Sequence, residues 1–197
     1  MEALVGQTET NSGNTEGVKA STMQAAIMAF GVITLPMLVV TFVMGYGAHY
    51  GWYSDVATHV RVGLITVILT ILTHTTTMFY FMGTGSAMKS EVRERNLDPD
   101  FLVRARAFKG VFFYMLFFGI LLVMGAGMLG GGAHADLLRP NPSGERSILS
   151  HIHEWMAVTA LTVNLVALVM TPVYIARNNR LMDDVGDTRP ESEQIAE

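Results

Sequence analysis

Six histidines are the side chains of this sequence best suited to chemistry. There is no cysteine, so disulfides, thiolate metal sites and iron–sulfur ligation by the chain are set aside, and imidazole, carboxylate, thioether and phenol remain. Five of the histidines, His49, His59, His134, His151 and His153, are expected at one end of a set of apolar segments. The sixth, His74, falls inside a segment and is followed by Thr75, Thr76 and Thr77. An ionisable group within a membrane segment is costly and is usually found facing a bundle interior or a cavity. The asymmetry points to a redox or metal site.

On a helix His59, Gly63, Thr66, Thr70, His74 and Thr77 share one face, and Leu64, Val67, Leu69 and Leu72 lie opposite. A weaker polar stripe recurs further along, in His153, Ala157, Ala160, Asn164 and Thr171. Counted from the segment ends, His59 and His153 come to similar depth on helices that would stand diagonally in a bundle. Two facing imidazoles suit axial ligation of a b-type haem, with Gly63 one turn from His59 leaving space for the macrocycle. In architecture and ligand type this resembles the four-helix membrane cytochromes b. The alternative is a hydrogen-bond network at the headgroup level.

His49, Asp55, His59, His134, His151 and His153 together offer enough imidazole and carboxylate for copper, zinc or iron. Asp55-x3-His59 resembles the Asp-x3-His element, followed by a later histidine, in the C subunit of particulate methane and ammonia monooxygenases. The later histidine here, His74, is spaced differently, and that function is not carried over. His74 itself reads as a core histidine bonded across helices. Two further roles are a soft-metal or haem ligand beside Met28, Met115 and Met170, and a hydrogen-bond donor to a quinone. No phosphate-binding glycine loop and no HExxH motif occurs.

The elements that must position these residues follow from hydropathy. Half of the 197 residues are hydrophobic, concentrated in runs at about 23–46, 60–82, 111–129 and 155–174. Each is close to the roughly 20 residues a helix needs to cross a bilayer. The expected fold is all-α, a polytopic membrane protein built as an up-down-up-down four-helix transmembrane bundle over residues 23–178. Residues 1–22, without the features of a cleaved signal peptide, are expected to be a disordered cytoplasmic tail, and 179–197 a second tail. Lys89, Arg93, Arg95, Arg104, Arg106 and Lys109 between the second and third runs, with Arg177, Arg180 and Arg189, outnumber Arg61, Arg139 and Arg146 on the other side. That bias predicts both termini in the cytoplasm, in a bacterial inner membrane, and the histidine-rich end outside. Asp98-Pro99-Asp100 is expected to start the third helix, Gly130-Gly131-Gly132 to end it, and Ser143 with Glu145 and Arg146 to start the fourth.

The functional expectation is a membrane redox subunit carrying haem b in electron transport, with a possible quinone or metal site. One alternative is a cofactor-free structural or assembly subunit. Another is copper or a different transition metal at the outer His/Asp cluster, with metal-dependent oxidation as its enzymatic form. Expected partners are membrane lipid and other membrane subunits or further copies of the chain. The net charge of −4, without a basic stripe, argues against nucleic acid.

Overall fold

The computed structural model describes the backbone of residues 2–137 and 147–188, and the side chains of 21–135 and 147–188. Four helices account for almost all of it: α1 (Glu2–Tyr50), α2 (Val56–Glu94), α3 (Asp100–Leu137) and α4 (Ile148–Asp187). All four are long and apolar enough to cross a membrane, which makes the chain a candidate multi-pass membrane protein. The expected tail over residues 1–22 lies almost entirely outside the described side chains. So do Ser143, Glu145 and Arg146; α4 is capped instead by Ser147, whose Oγ accepts from the Ser150 N–H at 3.2 Å.

The third helix starts as its sequence implies. The Asp98 carboxylate accepts from the Asp100 N–H at 2.8 Å. Its expected end is wrong, since α3 runs through Gly130, Gly131 and Gly132 to Leu137. Each glycine weakens a helix by about 1 kcal/mol relative to alanine, but two of these three are covered by α4. A Cβ on Gly130 would meet the His153 ring at 2.9 Å, and one on Gly132 would meet Leu149 at 2.5 Å. The α2–α3 turn is built by Asn96 at φ 51°, standing where glycine is commonest, with the Leu97 N–H bonded back to the Val92 carbonyl at 2.9 Å.

Helices adjacent in the chain pack on one another, α3 on α4 most extensively; α1 also meets α4, and α2 touches α4 across the middle. The buried residues of α2 explain this geometry. Thr66, Thr70, Thr73, Thr77 and Tyr80 are buried and Thr84 is half-buried. Their spacing of four, three, four, three and four is that of a coiled-coil seam. The seam covers about 27 Å at 1.5 Å per residue, close to the thickness of a hydrocarbon core. Its threonines are tied to their own helix, donating to the carbonyls of Val62, Thr66, Leu69 and Thr73 at 2.7 to 2.8 Å. With those protons committed, Thr34 and Thr41 of α1 must be the donors to Thr73 and Thr66, at 2.9 and 2.7 Å.

At the end with the α2–α3 turn the core is aromatic. Phe112 stacks on Tyr174 at 4.1 Å and meets Phe81 edge-on at 5.5 Å. Beside it the Tyr80 hydroxyl accepts from Gln24 and from Asn178, both at 3.1 Å, and donates to Asn179 at 2.8 Å, joining α1, α2 and α4. Arg95 closes this end, donating to the carbonyls of Val185, Gly186 and Thr188 that finish α4. Tyr80→Phe is expected to cost about 1–3 kcal/mol, because the buried Asn178 amide loses its acceptor. The check is unfolding of detergent-solubilised protein, where an unchanged midpoint would contradict this role for the hydroxyl.

Candidate histidine site

The structure sorts the six histidines into three settings. His49 is exposed and packs edge-on against Tyr50 at 4.5 Å, and His151 is also exposed. His59, His134 and His153 are half-buried at the end away from the α2–α3 turn, and His59 lies within electrostatic range of both of the others. His74 is completely buried between α2, α3 and α4. Among the described residues, no group of three or more His, Asp or Glu side chains is placed to hold a metal ion.

Glycine seats all the interior rings except that of His134. A Cβ on Gly45 of α1 would stand 3.0 Å from the His59 ring, and one on Gly130 of α3 would stand 2.9 Å from that of His153. A Cβ on Gly119 of α3 would stand 3.2 Å from His74 Nε2 and 2.8 Å from Asn164 Oδ1. Each imidazole therefore lies against the backbone of a neighbouring helix, which only the missing side chain permits. Gly63 does not adjoin a ring; it faces Thr41 of α1, at 3.5 Å from where its Cβ would be.

Hydrogen bonds fix which ring nitrogens are open. Asn164 donates its amide to the carbonyls of Gly119 and Ala160 at 3.1 and 2.7 Å, so its Oδ1 must face His74. His74 Nε2 lies 2.7 Å from that oxygen and therefore carries the proton. Its Nδ1 is then a buried lone pair with no protein partner. His153 is oriented the other way round, with Nδ1 3.0 Å from the Ala126 carbonyl. A carbonyl can only accept, so Nδ1 donates, and in the neutral ring Nε2 keeps the lone pair. The Nδ1 atoms of His59 and His134 are buried without a hydrogen-bond partner. An imidazole held through one nitrogen by a carbonyl, with the other open, has the posture of a metal ligand.

Asp55 has a different employment from ligation. It caps α2, its carboxylate accepting from the Thr58 N–H at 2.9 Å and from the Thr58 hydroxyl at 2.5 Å. Those bonds, the hydroxyl's first, hold its carboxyl below the ordinary value of 3.8.

The polar residues absent from the sequence expectation lie toward the other end: Gln24, Tyr80, Thr84, Asn178 and Asn179. Their signal was present, because the α2 spacing continues past Thr77 to Tyr80 and Thr84, and Asn164, Thr171 and Asn178 recur at seven residues. Compared with protein-family models, curated proteins and solved structures, the chain gives no match.

Two outcomes follow from this geometry. Gly119→Ala should push Asn164 and His74 apart and destabilise by about 2 kcal/mol or more. Gly31→Ala, where nothing lies within 4 Å, should be neutral or gain up to about 1 kcal/mol. Equal melting points for the two variants would remove the role given to Gly119. Because the folded-state pKa of Asp55 is depressed, its cap contributes above the ordinary value of 3.8 and is lost as pH falls through the lower folded value. Protection of the amides at the start of α2, relative to their intrinsic exchange rates, should therefore be high at neutral pH and fall in acid, while Asp55→Ala should show low protection at both.

Proposed function

We propose that this chain is a membrane electron-transfer subunit that binds a b-type haem between His59 and His153. The observation that carries the reading is the state of the two rings. They come from α2 and α4, the two helices that meet across the middle of the bundle. His153 is oriented through the Ala126 carbonyl with Nε2 open, and His59 has a buried Nδ1 without a partner. The residues suit the group in donor chemistry: neutral imidazoles ligate iron without adding a buried charge, and glycines flank both rings. Bound there, haem would supply a one-electron couple. His59 and His153 would hold the iron, the Ala126 carbonyl would keep the His153 ring in orientation, and Gly45 and Gly130 would let the rings lie against the α1 and α3 backbones.

The contact pairs support an up-down-up-down bundle as part of this proposal. Thr34 and Thr41 meet Thr73 and Thr66 in descending order, whereas His74 and Thr84 meet Asn164 and Asn178 in ascending order. With the Lys/Arg bias it gives cytoplasmic termini, an outward-facing histidine end and a bacterial inner-membrane location. Partner subunits or further copies of the chain would pass electrons onward, with a quinone near His74 as a candidate exchange partner.

Two specific observations favour other readings. Gly63 packs on Thr41, and the rings of His59 and His153 already fill their glycine seats, as expected of a cofactor-free structural or assembly subunit. His134 adds a third imidazole with an open nitrogen, the donor type copper or another transition metal takes, although the three rings are not gathered around one point.

Absorption spectra of oxidised and reduced protein, with elemental analysis of the same sample, separate the three. The haem reading expects a Soret band and a reduced b-type α-band, abolished by His59→Ala and by His153→Ala while membrane insertion is retained. Unchanged bands in both variants would overturn the ligand assignment. Colourless protein with stoichiometric copper would favour the metal reading, and folded protein with neither signal the structural one.

A further inference from the structure

Lys109, on α3 two residues before the apolar run that starts at 111, is half-buried. A lysine at that depth ordinarily extends its ammonium into the headgroup water. Here the ammonium turns inward instead. Nζ lies 3.4 Å from the Thr84 hydroxyl and 5.9 Å from the centre of the Phe81 ring. It also lies 3.6 Å from where a Cβ on Gly85 would stand, so the glycine leaves a notch on α2 beside the charge. An ammonium has three donors, and the one hydrogen bond described for it is long. The described salt bridges, Arg95 with Glu91 and Arg104 with Asp184, do not involve it. Exposed Lys89 follows Gly85 by one turn of α2, and exposed Arg106 precedes Lys109 by one turn of α3.

We propose that Lys109, held by the Thr84 hydroxyl beside the notch at Gly85, binds the phosphate of an anionic membrane phospholipid in the groove between α2 and α3. The ammonium supplies a charge-assisted hydrogen bond to a phosphate oxygen, and Lys89 and Arg106 add attraction from the rim. The acyl chains continue along the apolar surface of both helices toward mid-span, which a free phosphate ion could not do. Basic pockets between membrane helices recognise lipid headgroups in this manner. The site is independent of the histidines and of any cofactor they hold.

The test counts lipids retained by the full chain in native mass spectra after exchange into mixed phosphatidylglycerol and phosphatidylcholine. Wild-type protein is expected to retain phosphatidylglycerol at least about fivefold over phosphatidylcholine. Lys109→Met, which removes the charge, and Gly85→Leu, which fills the notch and keeps the lysine, should each bring the ratio close to one. Gly85→Leu decides the matter if Lys109→Met fails to fold. A Lys109→Met or Gly85→Leu variant with the wild-type preference would overturn the site, since the rim cations alone would then account for it. So would equal retention of both lipids by wild-type protein, or full displacement of the lipid by millimolar inorganic phosphate.

Discussion

A hydrocarbon interior has no water to hydrogen-bond a stray donor, and the α2 seam is arranged around that constraint. A row of threonines where leucine would serve a soluble coiled coil is tolerable because each hydroxyl proton goes to a carbonyl one turn back on the same helix. The seam then presents acceptor lone pairs to its neighbours. The donors come from α1, in the hydroxyls of Thr34 and Thr41, while on α4 the amide of Asn164 is committed to two backbone carbonyls and its oxygen accepts from His74. His74 fits this scheme only in one tautomer, since the amide oxygen of Asn164 can accept and not donate. Its buried neighbour Gly119 is required for the same reason, as the asparagine must reach the α3 backbone.

Side-chain size divides the bundle along its length. Near the α2–α3 turn, Phe81, Phe112 and Tyr174 fill the interior and Arg95 fastens the end of α2 to the end of α4. Toward the histidines the large side chains give way to glycine, and ring-on-backbone contacts replace aromatic packing. Such contacts hold helices close while leaving few interlocking side chains to resist a shift. A site meant to admit a ligand between helices is better placed at this end than among the stacked rings. On the function proposed, the aromatic end is the anchor and the glycine-seated end is the part that adjusts.

Much of this was readable from residues alone, and the failures have physical causes. The four helices follow from run length, and the face with His59, Thr66, Thr70, His74 and Thr77 follows from helical periodicity. Thr73 and Tyr80 escaped because on a 100° wheel they stand about 40° and 60° from His59 at the edge of the stripe, and Thr84 because hydropathy ended the second run at residue 82. Asn178 escaped because hydropathy ended the fourth run at Tyr174, although α4 continues to Asp187. The glycine triplet was read as a stop because the local cost of glycine is visible in sequence and the covering residues, His153 and Leu149, are not. Gly63 and Gly45 show the same limit: both adjoin the α1–α2 interface, and only the fold says which one meets the imidazole. Asp55 was given to a metal by its spacing from His59, whereas one turn is also the spacing of a cap.

The division of labour among the histidines rests on what holds each ring. His74 and His153 are both anchored through one nitrogen to an amide or peptide oxygen, yet their open nitrogens face different surroundings. That of His74 is enclosed in a fully buried interior beside hydroxyls already bonded elsewhere, so a partner could reach it only by moving helices apart. His153 is half-buried, and His59 and His134 accompany it, each with an unpartnered nitrogen. Three imidazoles that repel one another when charged and lack described hydrogen bonds at one nitrogen each are a poor way to stabilise an empty helix junction. The same groups are a good way to receive a positive centre, because the lone pairs that are unfavourable in isolation become its bonds. On the function proposed, that contrast favours the glycine-seated end for the ligand, while His74 joins α2, through Asn164, to α3 and α4.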